Sequence, residues 1–233
     1  MRERGQILCV YHASQRDDRV SRLLAGRGFE LEWVNPARGE PLPEDCDRYL
    51  GVVVYGGEQS ANDDSAAVLH ERQWISRWVG EQRPYLGICL GAQLLAQALG
   101  ATISRHAHGL LESGYIRISP EPDNDRLISG PMYVFQWHHE GFDIPNGCTR
   151  LARGMHFENQ AFEYRPHMVG LQFHPEVTPD IMVQWFREGG HMLTDAGAHP
   201  AETQLRDARI FEPGIETWTT SFLDRWITDA LNA

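Results

Sequence analysis

A single cysteine lies between two glycines at the point where a predicted strand meets a predicted helix. The segment Gly87–Gly91 reads Gly-Ile-Cys-Leu-Gly, with an apolar run before it and an Ala-, Leu- and Gln-rich helical pattern after it. This spacing is the cysteine counterpart of the nucleophile elbow, where small neighbours permit a tight turn. The N-terminus of the following helix favours negative charge on the sulfur. We therefore predict that Cys89 is a nucleophile and that the backbone N–H of Leu90 donates to an oxyanion.

A His-Pro-Glu segment supplies a candidate base and its orienting partner, both of which a cysteine nucleophile needs. His174 and Glu176 flank Pro175 and follow an apolar, strand-like run. The residue before a proline favours extended geometry, and residues two apart in an extended chain point the same way. We therefore expect the two side chains to lie together and to complete a Cys-His-Glu triad with Cys89. The alternative is a buried packing cysteine and a solvated His-Glu pair.

Composition indicates a globular protein with an excess of acidic residues. The chain has 233 residues, of which 42% are hydrophobic and 23% charged, so we expect a single domain over residues 1–233. The formal net charge of −11 argues against nucleic acid or an anionic membrane surface as the main partner. The N-terminal apolar run is too short for a signal peptide, and no stretch approaches the roughly 20 apolar residues of a membrane span. We therefore expect a cytoplasmic protein with reduced thiols.

The remaining cysteines and the histidine-rich segments have ordinary structural interpretations. Cys9, Cys46 and Cys148 are widely spaced, so we expect buried thiols rather than a zinc ribbon or a disulfide framework. Residues 106–108 and 136–145 each contain two histidines and are conceivable metal sites, but neither has a third ligand at a regular spacing. We expect residues 136–145 to form a loop that lines the substrate pocket.

Strand–helix alternation in the N-terminal part of the chain predicts an α/β fold. Apolar runs at residues 6–11, 29–34 and 49–57, and a fourth run directly before the glycine-flanked cysteine, are typical of strands. The alternation predicts a doubly wound parallel sheet, with ligands at the carboxyl ends of its strands. Hairpin-like segments further along the chain predict an antiparallel continuation that returns to the main sheet. Towards the C-terminus we expect helical patches over residues 180–190 and 219–233, joined by a loop.

Three motifs together resemble those of the class I glutamine amidotransferases. The segment GICLGAQLLA resembles the nucleophile motif, GLQFHPEV the His-Glu motif, and VVYGGEQS the glycine pair that supplies a second oxyanion amide. The motifs occur in the family's order, and the resemblance covers about residues 52–177. It implies a flavodoxin-like, mostly parallel sheet flanked by helices, with a small antiparallel extension. This is the class I glutaminase fold.

Other segments resemble the stand-alone, GMP-synthase-like branch of that family, namely SANDD, QWHHEGFDIP and NQAFEY. No synthase domain follows Ala233, so we expect a stand-alone protein. Two positions depart from the family's pattern. Glu58 follows Gly57 where proline is common, and His139-Glu140 replaces the usual Gly-Asp after a tryptophan-histidine pair. The substrate specificity of this chain therefore stays open.

The resemblance implies catalytic roles for individual residues. Cys89 would be the nucleophile, His174 the base and then the acid, and Glu176 the group that orients the imidazole. The backbone amides of Gly57 and Leu90 would together form the oxyanion hole. These roles require neither a metal ion nor an organic cofactor.

The resemblance also implies residues that bind the substrate. Gln93 lies one helical turn beyond the nucleophile and matches a position that helps to bind glutamine. His138, Glu140 and Gly141 would contact the α-amino and carboxylate end of the substrate.

The implied reaction is hydrolysis of a γ-glutamyl amide through a thioester, with glutamine as the default substrate. The ammonia released would pass to a partner synthase, if the protein serves one. A stand-alone γ-glutamyl peptide or conjugate hydrolase is the first alternative, and a non-enzymatic binding protein on the same fold is the second. We expect no nucleic acid or membrane partner, and the oligomeric state stays open.

Overall fold

This computed structural model describes residues 4–12 and 16–233 of the chain. The described strands are Arg4–Val10 (β1), Phe29–Val34 (β2), Tyr49–Val54 (β3), Tyr85–Ile88 (β4), Ile103–Arg105 (β5), Glu112–Pro120 (β6), Met132–His138 (β7), Glu140–Phe142 (β8), Thr149–Arg153 (β9), Asn159–Arg165 (β10) and Met168–Leu171 (β11). The described α-helices are Arg19–Gly26 (α1), Ala66–Gly80 (α2), Leu90–Ala98 (α3), Pro179–Glu188 (α4) and Ala201–Leu231 (α5). Short 3-10 turns cover Pro36–Arg38 and Gly190–Thr194.

Nine of these strands form one mixed sheet in the order β2-β1-β3-β4-β11-β10-β9-β6-β7. Neighbouring strands from β2 to β11 pair in parallel. From β11 to β7 every pairing is antiparallel. The strands β5 and β8 form a separate antiparallel pair. The predicted α/β fold is therefore confirmed, and β11 is the strand through which the antiparallel continuation returns to the parallel sheet.

The central strands are buried on both faces, which explains why they are continuous apolar runs. In β1, Ile7 and Cys9 pack in a core with residues of α1 and α5. The alternating residues Leu8 and Val10 pack on the opposite face with residues of α2 and α3. Successive side chains of a strand point to opposite faces. A single apolar strand thus contributes to both cores of the sheet.

Side-chain caps determine where the first two helices begin. Asp18 caps α1, since its Oδ1 accepts from the backbone N–H of Ser21 at 2.9 Å and the Ser21 hydroxyl accepts from the N–H of Asp18 at 3.1 Å. This reciprocal pair is a capping box. Ser65 caps α2 through its hydroxyl, which accepts from the N–H of Val68 at 3.4 Å.

The loop predicted between two C-terminal helical patches is largely wrong, because α5 is one helix of 31 residues that continues through Pro213. A proline inside a helix removes one hydrogen bond and crowds the preceding turn. Here a buried face continues on both sides of the proline, and its packing outweighs that local cost. That face comprises Gln204, Ala208, Ile215, Thr219, Phe222, Leu223, Trp226, Ile227 and Ala230. Neither α5 nor any other helix in the described part of the chain is long and apolar enough to cross a membrane.

Candidate functional site

Cys89 occupies a strained turn between β4 and α3. Its backbone has φ 50° and ψ −106°, and it stands at the N-cap of α3. A non-glycine residue held in such a sparsely populated conformation costs about 1–3 kcal/mol and persists only where the surroundings enforce it. The enforcing contacts are backbone hydrogen bonds, from Cys89 N to Leu171 O at 2.8 Å and from Gln93 N to Cys89 O at 3.0 Å.

The two glycines beside Cys89 permit backbone-to-backbone contact. A Cβ atom on Gly87 would lie 2.5 Å from the carbonyl oxygen of Gly91. A Cβ atom on Gly91 would overlap the carbonyl oxygen of Val54 in the neighbouring strand β3. Neither glycine needs a positive φ, so their role is to admit neighbouring backbone rather than to adopt an unusual conformation.

His174 and Glu176 lie side by side at the end of β11. The imidazole Nδ1 is 2.7 Å from Glu176 Oε1, and both residues are buried. The extended geometry predicted for this segment is wrong, since Pro175 and Glu176 form a turn. The turn, rather than strand alternation, brings the carboxylate to the ring. This contact directs the opposite nitrogen, Nε2, away from Glu176.

The His174 ring and the Cys89 side chain meet beside Gly56. A Cβ atom on Gly56 would lie 2.9 Å from His174 Cε1 and 3.4 Å from Cys89 Cβ. His174 Nε2 makes no hydrogen bond to the described residues. Burial disfavours the charged ring, but the Glu176 carboxylate and a negative charge on Cys89 outweigh it and raise the pKa of His174 to about 10. The arrangement therefore favours an imidazolium next to the sulfur.

Arg19, at the start of α1, holds the turn that carries His174 and Glu176. Its backbone N–H donates to Glu176 O at 2.9 Å, and its Nη1 donates to Pro175 O at 2.7 Å. The guanidinium also forms an ion pair with Glu212 of α5, and both side chains are largely buried. The sequence analysis missed this anchor because Arg19 and Glu212 are distant from the motif and no local pattern identifies them.

Cys89 and His174 line a cavity of about 620 Å³ at the carboxyl ends of the parallel strands. Seven of the nine site residues predicted from the sequence line this cavity, namely Gly57, Cys89, Leu90, Gln93, His138, Glu140 and His174. Glu176 contacts the far side of the His174 ring instead. Gly141 is packed against Phe157, since a Cβ there would lie 2.6 Å from Phe157 Cδ1. The structure thus brings together most, but not all, of the predicted site.

Gln93 and Glu140 are held by neighbouring protein groups at the cavity wall. The Gln93 amide donates to the Glu140 carbonyl at 2.9 Å and to Gln172 Oε1 at 3.3 Å. The Glu140 carboxylate accepts from the Ser60 hydroxyl at 2.7 Å. The loop predicted over residues 136–145 is in large part strand, because β7 extends to His138 and β8 pairs with β5.

Both ring nitrogens of His138 lie close to buried oxygen atoms. Its Nδ1 is 2.9 Å from the Glu140 carbonyl oxygen, and its Nε2 is 3.2 Å from Glu112 Oε2. Burial disfavours the charge of Glu112, but hydrogen bonds from His138 and Gln160 lower its pKa below the usual value. Within residues 4–12 and 16–233, no group of three or more His, Cys, Asp or Glu side chains could hold a metal ion.

Of the three cysteines other than Cys89, Cys9 is buried as predicted, whereas Cys46 and Cys148 are only half-buried. All three are free thiols away from the cavity lining. Burial raises the pKa of Cys9 and of Cys46 above the usual value. It raises the pKa of Cys148 to about 11. Protonated thiols are poor nucleophiles. These environments differ from the helix N-terminus and the adjacent histidine that surround Cys89.

An aromatic wall from α4 and β7 borders the cavity. Trp137 falls within the segment expected to line the pocket, whereas the sequence analysis did not assign Trp185 to the site. The Trp185 ring lies edge-on to His174, with 5.0 Å between ring centroids. Trp137 contacts Trp185 at 6.0 Å, and its Nε1 lies 3.3 Å from Met192 Sδ. Trp137, Trp185 and Met192 all line the cavity. Helical periodicity predicted α4, but only the fold brings it over the strand ends.

A family model for class I glutamine amidotransferases matches residues 12–188. Among solved structures, the crystal structure of a glutamine amido transferase from Methylobacillus flagellatus has a TM-score of 0.90 and 25% sequence identity. That similarity covers 97% of this chain and 95% of the other.

The relatives by sequence include the following three proteins. The glutamine amidotransferase-like protein YfeJ of Salmonella typhimurium is 29% identical over 73% of this chain and 74% of its own length. Gamma-glutamyl peptidase 4 of Arabidopsis thaliana is 27% identical over 73% of this chain and 72% of its own. A component of the glutamine-hydrolyzing GMP synthase of Saccharolobus solfataricus is 28% identical over 72% of this chain and 87% of its own.

Replacing Gly91 by alanine should severely destabilise the fold. The added methyl group would overlap the Val54 carbonyl oxygen, and that backbone is fixed because Val54 pairs with a strand on each side. Overpacking of a rigid core typically costs about 1–3 kcal/mol, and we expect at least the upper end here. Gly80→Ala is the control, because nothing lies within 4 Å of its Cβ position. Urea denaturation measures both, and equal midpoints for the two variants would contradict the packing argument.

Replacing Glu176 by glutamine should lower the pKa of His174. The folded-state value of about 10 exceeds the ordinary value of 6.5, so the ring proton stabilises the fold fully below about pH 6.5. That contribution is lost as the pH rises through about 10. In the variant it should be lost at a lower pH, because the neighbouring carboxylate is gone. An NMR titration of the His174 ring measures this pKa directly.

The control for that titration is Glu216→Gln, which removes an exposed carboxylate from α5. It should leave the His174 titration unchanged. An identical midpoint in wild type and Glu176→Gln would show that the carboxylate does not control the ring.

Proposed function

We propose that this chain, which belongs to the class I glutamine amidotransferase family, hydrolyses a γ-glutamyl amide through a thioester on Cys89. The observation that carries the proposal is the strained Cys89 at a helix N-terminus, beside the 2.7 Å His174–Glu176 pair and inside an open cavity. A non-enzymatic binding protein has no need of a nucleophile turn with a buried base next to it.

In the first step the Cys89 thiolate attacks the γ-carbonyl carbon of the substrate. The positive end of the α3 dipole and the His174 imidazolium both favour negative charge on the sulfur. The carbonyl oxygen becomes an oxyanion that accepts from the amides of Gly57 and Leu90. Leu90 is the first residue of α3, where a backbone N–H has no partner within the helix.

In the second step the tetrahedral intermediate collapses. His174 donates its proton to the departing nitrogen, which leaves as ammonia or an amine, and a γ-glutamyl thioester remains on Cys89. The now neutral ring accepts a proton from water, whose oxygen attacks the thioester carbon. Release of glutamate restores the thiolate and the imidazolium. Glu176 keeps Nδ1 protonated throughout and stabilises the charged ring.

A γ-glutamyl peptide or conjugate is the substrate class that the cavity favours over free glutamine. The cavity volume of about 620 Å³ lies within the roughly 300–1,000 Å³ typical of sites for drug-sized ligands. The wall formed by Trp137, Trp185 and Met192 offers apolar surface that ammonia cannot use. The similarity to a gamma-glutamyl peptidase supports the same choice. With glutamine as substrate, the product ammonia would be available to a partner synthase, as the similarity to a GMP synthase component suggests.

Replacing Cys89 by serine should abolish γ-glutamyl amide hydrolysis and leave the fold intact. A hydroxyl is far less acidic than a thiol, so neither the helix terminus nor His174 can provide an equivalent nucleophile. Cys148→Ser is the matched control and should retain full activity, because this thiol lies outside the cavity lining. Steady-state hydrolysis and iodoacetamide labelling at neutral pH measure the difference. Equal losses in both variants would contradict the assignment of Cys89.

Replacing Met192 by alanine should reduce activity only toward substrates with bulky leaving groups. Loss of one apolar contact should lower kcat/KM for γ-glutamyl p-nitroanilide and γ-glutamyl-phenylalanine by about tenfold. Glutamine, which has no such group, should be hydrolysed at an unchanged rate. Met155→Ala is the control, because Met155 is 80% exposed and lies outside the cavity lining. A uniform loss across all three substrates would count against a leaving-group role for this wall.

A further inference from the structure

His12 lies beside the glycine pair because strands β1 and β3 are neighbours in the sheet. Val10 pairs with Val54, and the N–H of Tyr55 donates to Val10 O at 2.9 Å. The segment after β1 therefore follows the segment after β3 to the same edge. The His12 side chain is only 2% exposed and borders the cavity. No motif of the sequence analysis included it.

Both ring nitrogens of His12 face hydrogen-bond acceptors. Nε2 lies 3.0 Å from each carboxylate oxygen of Glu71, a buried residue of α2. Nδ1 lies 3.3 Å from the carbonyl oxygen of Gly56. A histidine can donate from both nitrogens only as the imidazolium. Burial disfavours that charge, but the Glu71 carboxylate outweighs burial and raises the pKa of His12 above its usual value.

The Gly56 carbonyl and the Gly57 N–H belong to one peptide group. No peptide bond in the described part of the chain is cis. In a trans peptide the C=O and the N–H point in opposite directions. A donor that holds the carbonyl on one side therefore aims the N–H to the other side. Cys89 borders the same peptide, since a Cβ on Gly56 would lie 3.4 Å from Cys89 Cβ.

Gly57 must be a glycine for His12 to approach this closely. A Cβ atom on Gly57 would lie 2.6 Å from the Cβ of His12. Two glycines thus leave room on both sides of the peptide, with Cys89 and His174 beside Gly56 and His12 beside Gly57. The peptide is confined between the proposed nucleophile and a buried ion pair.

We propose that His12 is a positioning residue of the oxyanion hole. Held by Glu71, it binds the Gly56 carbonyl and thereby aims the Gly57 N–H at the oxyanion formed on attack by Cys89. A hydrogen bond to a carbonyl also polarises its peptide group and strengthens the N–H as a donor. The catalytic consequence of this inference rests on the proposed function. The contact of His12 with the Gly56 carbonyl is a property of the fold.

Two matched substitutions separate the two hydrogen bonds of the ring. In His12→Asn the side-chain amide nitrogen can replace Nδ1, and in His12→Gln it can replace Nε2, because of their distances along the side chain. Both are made in a Glu71→Gln background, so that neither variant leaves a buried carboxylate unpaired. The two proteins then carry the same charge and differ only in which hydrogen bond survives.

The His12→Gln protein should lose about 10- to 100-fold in kcat, with KM changed by less than about threefold, because loss of one oxyanion donor costs up to about 100- to 1,000-fold. The His12→Asn protein should stay within about fivefold of the wild-type kcat. Crystal structures of both variants should show the Gly56 carbonyl still directed at residue 12 in His12→Asn and turned away in His12→Gln. Thermal unfolding verifies that both variants are folded.

Equal kcat values in the two variants, with the Gly56–Gly57 peptide unchanged in both crystal structures, would overturn the inference. An effect on KM alone would do the same. If the wild-type protein hydrolyses no γ-glutamyl amide, the proposed function fails, and the crystal structures alone then decide whether His12 holds the peptide. If the variants do not fold, nitrogen-15 NMR of the wild-type protein decides, since an unprotonated His12 Nδ1 at pH 7 would exclude the hydrogen bond to Gly56.

Discussion

The contact of Gly91 with the Val54 carbonyl oxygen is the constraint on which the candidate site depends. Because α3 begins directly against β3, its N-terminus reaches the sheet edge where the segment after β3 also emerges. Cys89, the first N–H groups of α3 and the Gly56–Gly57 peptide therefore meet at one point. Any side chain at residue 91 would separate the helix from the strand and move the sulfur away from the groups proposed to act on it.

Three buried histidine–carboxylate pairs surround the cavity and hold different parts of it. His174–Glu176 carries the proposed base, His12–Glu71 contacts the glycine peptide, and His138–Glu112 supports the wall formed by β7 and β8. Buried ion pairs contribute little net stability, but loss of one partner leaves a costly unpaired charge. The value of these pairs is geometric. Each pair holds an imidazole ring in one orientation, whereas an exposed and unpaired ring would rotate freely.

Local motifs predicted the nucleophile segment and the His-Glu segment, because each places its residues within a few positions of one another. The same reasoning did not find His12, Glu71, Arg19 or Glu212, which only the strand order and the helix packing bring together. It also failed at Pro213, where burial of a long helix face outweighs local propensity. The extended geometry predicted at Glu176 is wrong for a related reason. A backbone contact with α1 helps to determine the turn that forms there instead. Sequence patterns thus identified the groups proposed to react, whereas the groups that position them are brought together only by the fold.

The position of the proposed base depends on packing across the whole chain. Arg19 binds the turn after His174, and Glu212 of α5 binds Arg19, so the first helix and the last helix share one anchor. The helix α5 is in turn held by its buried face, and Trp226 donates to the His167 carbonyl at 3.1 Å, just before β11 begins. Both ends of the segment from β11 to the His-Glu turn are therefore attached to α5. Because those attachments are buried, a shift of α5 would move the imidazole. Cys89 is bound to the same strand, since its N–H donates to Leu171 O of β11 at 2.8 Å, while α3 packs against Val54 of β3. The strand β11 therefore connects the proposed base, which α1 and α5 position, with the proposed nucleophile, which the parallel sheet positions.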